Sequence, residues 1–217
     1  MMAVALAGAP AVIPSGGLGG VKVFRTGADL KIGVNQRVLI LGVEMDQAGD
    51  ASVLTSAFFA RSALKVARDL IGCRLHIGDQ SRVITETEAY IGPKDLASHA
   101  SKGRTKRNEA MFGQPATFYV YFVYGLHWML NVVTGPDECP AAVLIRGVEG
   151  IVGPARLTKA LGINGDLNGK VANKETGVWF GEGLRPSRKQ IIRSARIGVD
   201  YAGPVWSLKP YRFSLKS

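Results

Sequence analysis

The chain has 217 residues, of which 47% are hydrophobic and 20% charged, a composition that excludes a disordered chain or a fibrous repeat. Its longest apolar runs, such as residues 38–43, are much shorter than the ~20 residues that cross a bilayer, so no membrane association is predicted. Lys and Arg outnumber Asp and Glu by 27 to 17, which gives a net charge of +10. This excess favours nucleic acid as a partner, ahead of an anionic membrane surface or no polyanion at all.

Residues 1–50 differ from the remainder of the chain. Positions 1–21 carry no charged side chain and lack the basic start of a secretory signal, so we predict a cytoplasmic protein, nucleoid-associated if bacterial. Only residues 37–45 indicate a strand. We interpret residues 1–50 as an N-terminal extension, either disordered or the product of a misassigned start. Because acidic and basic residues balance there, the whole net charge belongs to the predicted domain at 51–217.

The two cysteines, Cys73 and Cys139, lie in separate segments with no CxxC motif and no neighbouring cluster of His and Cys. This spacing favours neither a metal site nor a redox motif. We predict buried free thiols in a reducing compartment.

Residues 62–90 predict a helix followed by a β-hairpin. Ser62 suits an N-cap and Gly72 a C-terminal stop, with apolar residues on one helical face between them. Residues 73–77 and 82–90 have strand character on either side of Gly78-Asp79. Alternation in the second strand places four side chains on one face: Ile84, Glu86, Glu88 and Tyr90.

Two carboxylates and a tyrosine at the end of a strand face are not a core pattern. A solvent-facing polar edge is the simple interpretation, and a functional site is the alternative. The loop that follows, residues 91–108, is rich in Gly, Ser and basic residues. We interpret it as either a solvated loop or one that contacts phosphates.

Residues 117–131, TFYVYFVYGLHWMLN, predict an aromatic β-hairpin with its tip at Tyr124-Gly125. Aromatic residues in hairpins usually pack in a core, as we predict for Phe118, Phe122 and Trp128. A large ring at the tip is poorly placed for a core. On a basic protein, Tyr124 is instead suited to insert between bases.

Several blocks of the sequence resemble one known family. In chain order they are ETEAYIGPKDLASHASKGRTKRN, MFGQPATFYVYFVYGLHWMLNVV, AAVLIRGVE, GPARLTKALGI and ARIGVDYAGPVWSLKPYRF, within residues 54–214. Together they are similar to the alkyladenine (3-methyladenine) DNA glycosylase family in its bacterial form. The number, length and order of the blocks make the resemblance specific.

The resemblance implies a mixed α/β (α+β) fold: a single compact domain with a curved, largely antiparallel β-sheet, surrounding helices and a protruding β-hairpin. It implies a monofunctional DNA glycosylase that starts base-excision repair. Such an enzyme flips an alkylated or deaminated purine out of double-stranded DNA and hydrolyses its N-glycosidic bond. We expect a monomer that uses no cofactor and no metal. A non-catalytic binding module for distorted DNA is the alternative.

The resemblance also assigns catalytic positions. Glu88 corresponds to the general base that activates the attacking water, and Arg146 to the arginine that holds this water. The backbone carbonyl of Ile197 corresponds to a third contact of the water. The alternative for Arg146 is a surface arginine, and Glu86 competes with Glu88 for the role of the base.

Further assignments concern the base and the duplex. Tyr90, His99 and Tyr121 correspond to residues that stack on the flipped base, where cation–π attraction favours cationic alkylated purines. Asn131 corresponds to the residue that crowds the exocyclic amino group of guanine, and Tyr124 to the wedge that fills the gap in the duplex. Predicted DNA contacts are Leu126 and His127 in the groove, and Arg104, Lys106 and Arg107 at phosphates.

The hairpin register tests the assignment of Asn131. A two-residue loop at Tyr124-Gly125 would place Asn131 on the face opposite Tyr121. A three-residue loop pairs Tyr119 with Asn131 and brings these side chains to one face. The assignment therefore requires an odd loop or a bulge.

Two positions depart from the family pattern. Lys106 replaces a proline in RTKRN, and Ala116 replaces a common glycine in GQPATFYVY. Both positions lie in predicted loops. We therefore expect an effect on loop rigidity and not on chemistry.

Overall fold

The computed structural model describes residues 37–40, 43–46 and 52–216. The first two segments form an antiparallel ribbon of β1 (Arg37–Ile40) and β2 (Val43–Asp46), where the sequence predicts a single strand. The pairing runs from Arg37 with Asp46 to Ile40 with Val43, so the prediction of one continuous strand is wrong. The rest of the predicted extension, with its boundary at residue 50, lies outside the described residues and stays a prediction.

The remaining strands form a nine-stranded sheet, and short helices accompany it. No helix in the described part of the chain is long and apolar enough to cross a membrane. The helices are α1 (Ser56–Phe59), α2 (Ala63–Asp69), α3 (Pro154–Ala160) and α4 (Gly203–Ser207). The strands are β3 (Arg74–Ile77), β4 (Gln80–Tyr90), β5 (Phe118–Val123), β6 (His127–Thr134), β7 (Ala141–Val148), β8 (Ile151–Val152), β9 (Val178–Gly181), β10 (Ile191–Ser194) and β11 (Arg212–Leu215).

The main path of the sheet runs β10-β11-β4-β7-β6-β5. Strand β3 pairs with the first half of β4 and with β9, and β8 pairs with the end of β7. All these pairs are antiparallel. The architecture confirms the predicted α+β class and its single domain with a largely antiparallel sheet.

Helix α2 begins where the sequence predicts and ends at Asp69, three residues before the predicted stop at Gly72. Ser62 takes up an extended N-cap conformation, although its side chain makes no capping hydrogen bond. After the helix, Gly72 has a φ of +88°, and a Cβ atom there would collide with the carbonyl of Leu184. Glycine is therefore required at this position both by its backbone conformation and by the close approach of another segment.

The two faces of the sheet are covered differently. On one face, α1, α2 and α3 pack over the main apolar core, in which Phe59 and Phe118 are fully buried. On the other face, Tyr119 and Val133 pack beneath the segment 99–112, which contains two 3₁₀ turns. This second face carries the predicted site residues.

Irregularities in β4 and β7 change the predicted face of Ile84. The register shifts on both sides of Glu86, so that β4 gains one extra residue and β7 gains another at Arg146. Ile84 packs in the apolar core together with Ala89, on the side opposite Glu88. The prediction that Ile84 shares a face with Glu88 is wrong, because a bulge interrupts strict alternation.

The hairpin of β5 and β6 has a three-residue loop. Val123 pairs with His127, and Tyr119 pairs with Asn131. The loop residues Tyr124-Gly125 have φ values of 53° and 66°, the left-handed pair that suits a tight hairpin turn. The odd loop required by the assignment of Asn131 is thus confirmed.

Both cysteines are free, with Cys73 buried and Cys139 half-buried. Burial raises the pKa of the Cys73 thiol to about 12, so this thiol stays protonated at neutral pH. The prediction of free thiols is confirmed, and complete burial holds for Cys73 alone.

Candidate active site

Four neighbouring strands bring predicted site residues into one row. Glu88 of β4 pairs with Leu144 of β7, Leu144 pairs with Asn131 of β6, and Asn131 pairs with Tyr119 of β5. Directly opposed residues point to the same side of a sheet, so all four share one face. Because adjacent strands lie ~4.8 Å apart, Glu88 and Asn131 are separated by roughly 10 Å.

Glu88 is fully buried and contacted on both carboxylate oxygens. Its Oε1 accepts a hydrogen bond from the amide of Ile197 at 2.8 Å and lies 3.4 Å from Nη1 of Arg146. Its Oε2 accepts a hydrogen bond from the hydroxyl of Tyr90 at 2.9 Å. The sequence predicts a role for the carbonyl of Ile197, which stays a prediction; the group that reaches Glu88 is the amide.

Burial is the largest influence on Glu88 and raises the pKa of its carboxyl above the ordinary value. The charge of Arg146 and the hydrogen bonds from Ile197 and Tyr90 each oppose this rise without cancelling it. A carboxylate that titrates at elevated pH is a stronger proton acceptor than an ordinary glutamate, provided that it is ionised.

Arg146 lies between two carboxylates. Its Nε donates to Oε1 of Glu86 at 3.0 Å, and its Nη1 faces Glu88. Arg146 is only 9% exposed, so the surface interpretation is wrong. Its place at the irregularity of β7 fits the common use of bulges to re-aim a side chain beside an active site.

Glu86 is occupied by two arginines. The oxygen that accepts from Arg146 also accepts from Nη1 of Arg212 at 2.8 Å. Glu86 is therefore engaged in ion pairs with both arginines, whereas the ion pair of Glu88 is with Arg146. Arg212 was missed from the sequence, because β11 lies more than a hundred residues beyond β4 and gives no local signal.

A buried ion pair packs against the ring of Tyr90. The guanidinium carbon of Arg196 lies 4.7 Å from the centre of the Tyr90 ring, and its nitrogens donate to both oxygens of Asp95 at 2.6 and 2.8 Å. Both charged side chains are fully buried. Since Arg196 directly precedes Ile197, this pair fixes the segment whose amide reaches Glu88.

An aromatic cluster lies on the same face. Nδ1 of His99 is 2.8 Å from the hydroxyl of Tyr119, and the His99 ring meets Tyr121 nearly edge-on at 4.6 Å. Burial lowers the pKa of His99, and the charges of Arg107 and Lys102 add to that effect, which favours a neutral imidazole. Tyr119 was not predicted as a site residue, although strand alternation places it beside Tyr121.

Asn131 is held firmly in the row. It is 3% exposed, and its Nδ2 donates to the carbonyls of Tyr119 at 3.0 Å and Met129 at 3.3 Å. These bonds fix the orientation of the side-chain amide. A rigid amide of this kind suits discrimination by shape.

The hairpin tip is exposed. Tyr124 is 88% and Leu126 72% exposed, and His127 is exposed beside them. Phe122 is 42% exposed and lies against Trp128 at 4.6 Å, so its predicted place in the core is wrong. The reason is that β5 extends beyond the core towards the tip.

The predicted phosphate contacts lie on an exposed loop next to the hairpin. Arg107 donates to the carbonyl of Phe122 at 3.0 Å, which ties the loop to β5. Arg104 lies 3.3 Å from Glu138 and 3.6 Å from Glu109, in exposed pairs that contribute little to stability. Lys106 is exposed as well.

Comparisons with known proteins show the family of the chain. The sequence model of the Methylpurine-DNA glycosylase (MPG) family matches residues 57–152 and 150–217. A Myxococcus xanthus protein named "Putative 3-methyladenine DNA glycosylase" is 44% identical over 73% of this chain and 88% of its own length. A Methanocella arvoryzae protein of the same name is 43% identical over 74% of this chain and 91% of its own. The chain therefore belongs to the methylpurine-DNA glycosylase family: it is a DNA glycosylase, a hydrolase that acts on the N-glycosyl bonds of its DNA substrate.

Proposed function

We propose that this glycosylase flips a damaged purine out of duplex DNA and hydrolyses its N-glycosyl bond with a water activated by Glu88. The supporting observation is a fully buried carboxylate beside Arg146, on the sheet face that also carries Tyr121 and Asn131. A module that only binds DNA needs no buried carboxylate. The first step of base-excision repair is therefore favoured over a non-catalytic role.

In the proposed reaction, ionised Glu88 accepts a proton from water while the water oxygen bonds to C1′ of the deoxyribose. The bond between C1′ and the purine nitrogen breaks, and its electron pair leaves with the base. An alkylated purine that carries a positive charge leaves as a neutral molecule, whereas neutral hypoxanthine needs a further proton. General-base assistance of this kind contributes ~10²–10⁴-fold in rate.

The burial of Glu88 sets a condition on this step. Ile197 and Arg146 both approach Oε1, whereas the hydroxyl of Tyr90 alone is bonded to Oε2. Displacing that one hydroxyl would free Oε2 for the water and leave the other contacts intact. We assign this opening to the entry of the base, because Tyr90 is also one of the rings on which the base stacks.

The aromatic side chains hold the base in this mechanism. Tyr90, His99 and Tyr121 offer ring surfaces, and stacking on such surfaces contributes ~1–3 kcal/mol per base. That range is comparable with the few kcal/mol that unstacking a base from duplex DNA costs. Asn131, fixed by its two hydrogen bonds, crowds the exocyclic amino group of guanine and so disfavours that normal base.

The exposed hairpin tip engages the duplex. Tyr124 fills the space that the flipped nucleotide leaves, with Leu126 and His127 along the minor groove. Arg104, Lys106 and Arg107 contact phosphates beside it. One copy of the chain carries all of these groups, so we propose that it acts as a monomer on double-stranded DNA with damaged purines.

Replacing Glu88 by Gln tests the proposal. Glu88→Gln keeps the size of the side chain but cannot accept the proton, so we expect excision to fall ~10²–10⁴-fold while binding to damaged duplex persists. The measurement is alkali-revealed cleavage of a duplex with one hypoxanthine, beside release of methylated purines from alkylated DNA. Glu175→Gln, at an exposed position, is the matched control. Wild-type excision by Glu88→Gln would remove Glu88 from the role of base.

A further inference from the structure

We infer that Glu86 is a positioning residue for the reaction: its carboxylate anchors both groups that hold Oε1 of Glu88. This role rests on the proposed function of Glu88 as the general base. Glu86 itself is 8% exposed and makes its contacts to arginine, not to Glu88.

The first anchored group is the guanidinium of Arg146. Its contact with Glu86 is a hydrogen bond of 3.0 Å, whereas its nearest approach to Glu88 is 3.4 Å. Because the guanidinium is planar and rigid, a bond at Nε also fixes the position of Nη1. Glu86 thereby keeps Arg146 beside Glu88 without allowing a tight bidentate ion pair.

The second anchored group is the amide of Ile197, which Glu86 reaches through Arg212. Nη1 of Arg212 donates to Glu86 at 2.8 Å, and Nε of the same guanidinium donates to the carbonyl of Ala195 at 3.2 Å. Ala195 lies two residues before Ile197, whose amide donates to Glu88 at 2.8 Å. One carboxylate therefore supports both contacts of Oε1.

Charge balance gives Glu86 a second effect on the base. Two carboxylates face two arginines in this cluster, so removing the charge of Glu86 leaves an excess positive charge next to Glu88. The excess favours ionised Glu88, and Arg146 becomes free to close on the carboxylate and occupy a position that the water needs. The titratable and charged side chains that act on Glu88 or are influenced by it are Arg146 of β7, Tyr90 of β4, Tyr121 of β5, and Arg196 and Tyr201 from the segment that leads into α4.

The test is the single-turnover excision rate as a function of pH for wild type, Glu86→Gln and Glu86→Asp. We expect Glu86→Gln to lower the maximal rate roughly 10- to 100-fold, the usual result of a small misplacement of catalytic groups. The acid limb of its pH–rate profile should move to lower pH, because Glu88 must be ionised to act as the base and loss of the neighbouring negative charge lowers the pKa of Glu88. Glu86→Asp keeps the charge, so its acid limb should stay at the wild-type pH while part of the rate returns.

Three controls separate positioning from other causes. Melting temperature and affinity for damaged duplex establish that each variant is folded and binds substrate, and Glu175→Gln shows the effect of removing an exposed carboxylate. If Glu86→Gln does not fold, Glu86→Asp decides, because a positioning role requires its rate to lie below that of wild type.

Several outcomes would overturn the inference. A wild-type rate in Glu86→Gln would do so, and so would a lowered rate with an unmoved acid limb, which a merely structural role produces. Glu88→Gln, measured in the same series, distinguishes failure of the proposed function from failure of the positioning role of Glu86. If it retains wild-type excision, the proposed function itself fails, whereas an inactive Glu88→Gln beside an unchanged Glu86→Gln defeats only the role of Glu86.

Discussion

The row of paired residues from Glu88 to Tyr119 and the hairpin tip lie on the same sheet but differ in burial. Glu88 is fully buried and held by the amide of Ile197, the hydroxyl of Tyr90 and the charge of Arg146. Tyr124, in the loop that follows β5, is 88% exposed. The groups proposed for chemistry are therefore fixed before DNA binds, whereas the group proposed to distort DNA is left uncovered.

An uncovered ring has a physical advantage for that second task. The apolar surface of Tyr124 contributes little to folding, so burying it between bases adds favourable free energy at the moment of binding. Tyr124 and Gly125, which both have positive φ, lie in the turn that exposes this ring. Substitutions at the tip should therefore change DNA binding without changing the free energy of unfolding.

Among substitutions outside the buried carboxylates, the largest effect is expected from Tyr124→Ala. Loss of a stacking ring worth ~1–3 kcal/mol should weaken binding to lesion-containing duplex and slow excision roughly 10- to 100-fold. The melting temperature should match that of wild type, because the ring is almost fully exposed. Fluorescence anisotropy, single-turnover excision and calorimetry measure the three quantities. Tyr124→Phe, which keeps the ring, should behave like wild type. A melting temperature lowered by several degrees in Tyr124→Ala would show that the tip also contributes to folding stability.

A smaller effect is expected from the basic loop next to the hairpin. Lys106→Ala should weaken binding to damaged and undamaged duplex alike and reduce the slope of log K against log salt by ~1. Lys65→Ala, on an exposed position of α2, is the matched control for loss of one positive charge. Filter binding over a series of salt concentrations measures both slopes. A loss of affinity confined to damaged DNA would show that Lys106 takes part in lesion recognition and not in phosphate contact.

The same contrast explains which features were accessible from the sequence. Helix α2 and the hairpin of β3 and β4 follow from local signals, a glycine stop and strand alternation. The odd loop at Tyr124 was instead a requirement of the assignment of Asn131, which came from resemblance. The assignments of Glu88 and Arg146 came from resemblance, and the structure brings these two side chains within 3.4 Å. Local patterns sufficed where the decisive neighbours lay close in the chain, and resemblance supplied the pair of Glu88 and Arg146, which are distant in the chain.

What was missed depends on long-range packing. The face of Ile84 was wrong because a bulge interrupts β4, and Phe122 was misplaced because β5 extends beyond the core. The pair Arg196 and Asp95 joins segments 101 residues apart, and Arg212 reaches Glu86 across 126 residues. No periodicity or spacing in a single sequence encodes such contacts, since they arise only when distant strands become neighbours.

The smallest effect is expected at Ala116. Like Tyr124, this residue has a positive φ, but it is buried where Tyr124 is exposed. Ala116 has a φ of 73° and is 2% exposed, in the core at the start of β5. In Ala116→Gly, relief of ~1–2 kcal/mol of backbone strain opposes loss of a buried methyl group worth ~0.8 kcal/mol and ~0.4–1 kcal/mol of added unfolded-chain entropy. These terms cancel to within ~1 kcal/mol.

Urea unfolding should therefore place Ala116→Gly close to wild type, with excision unchanged, and Ala116→Val should be clearly less stable because a β-branched side chain tolerates this conformation poorly. A stability change above ~2 kcal/mol in the glycine variant would show that strain at this buried position is far from offset. A changed excision rate would show that the entry to β5 affects the chemistry on the far side of the sheet. That second result would show that the row from Glu88 to Tyr119 is sensitive to the core on the opposite face of the sheet.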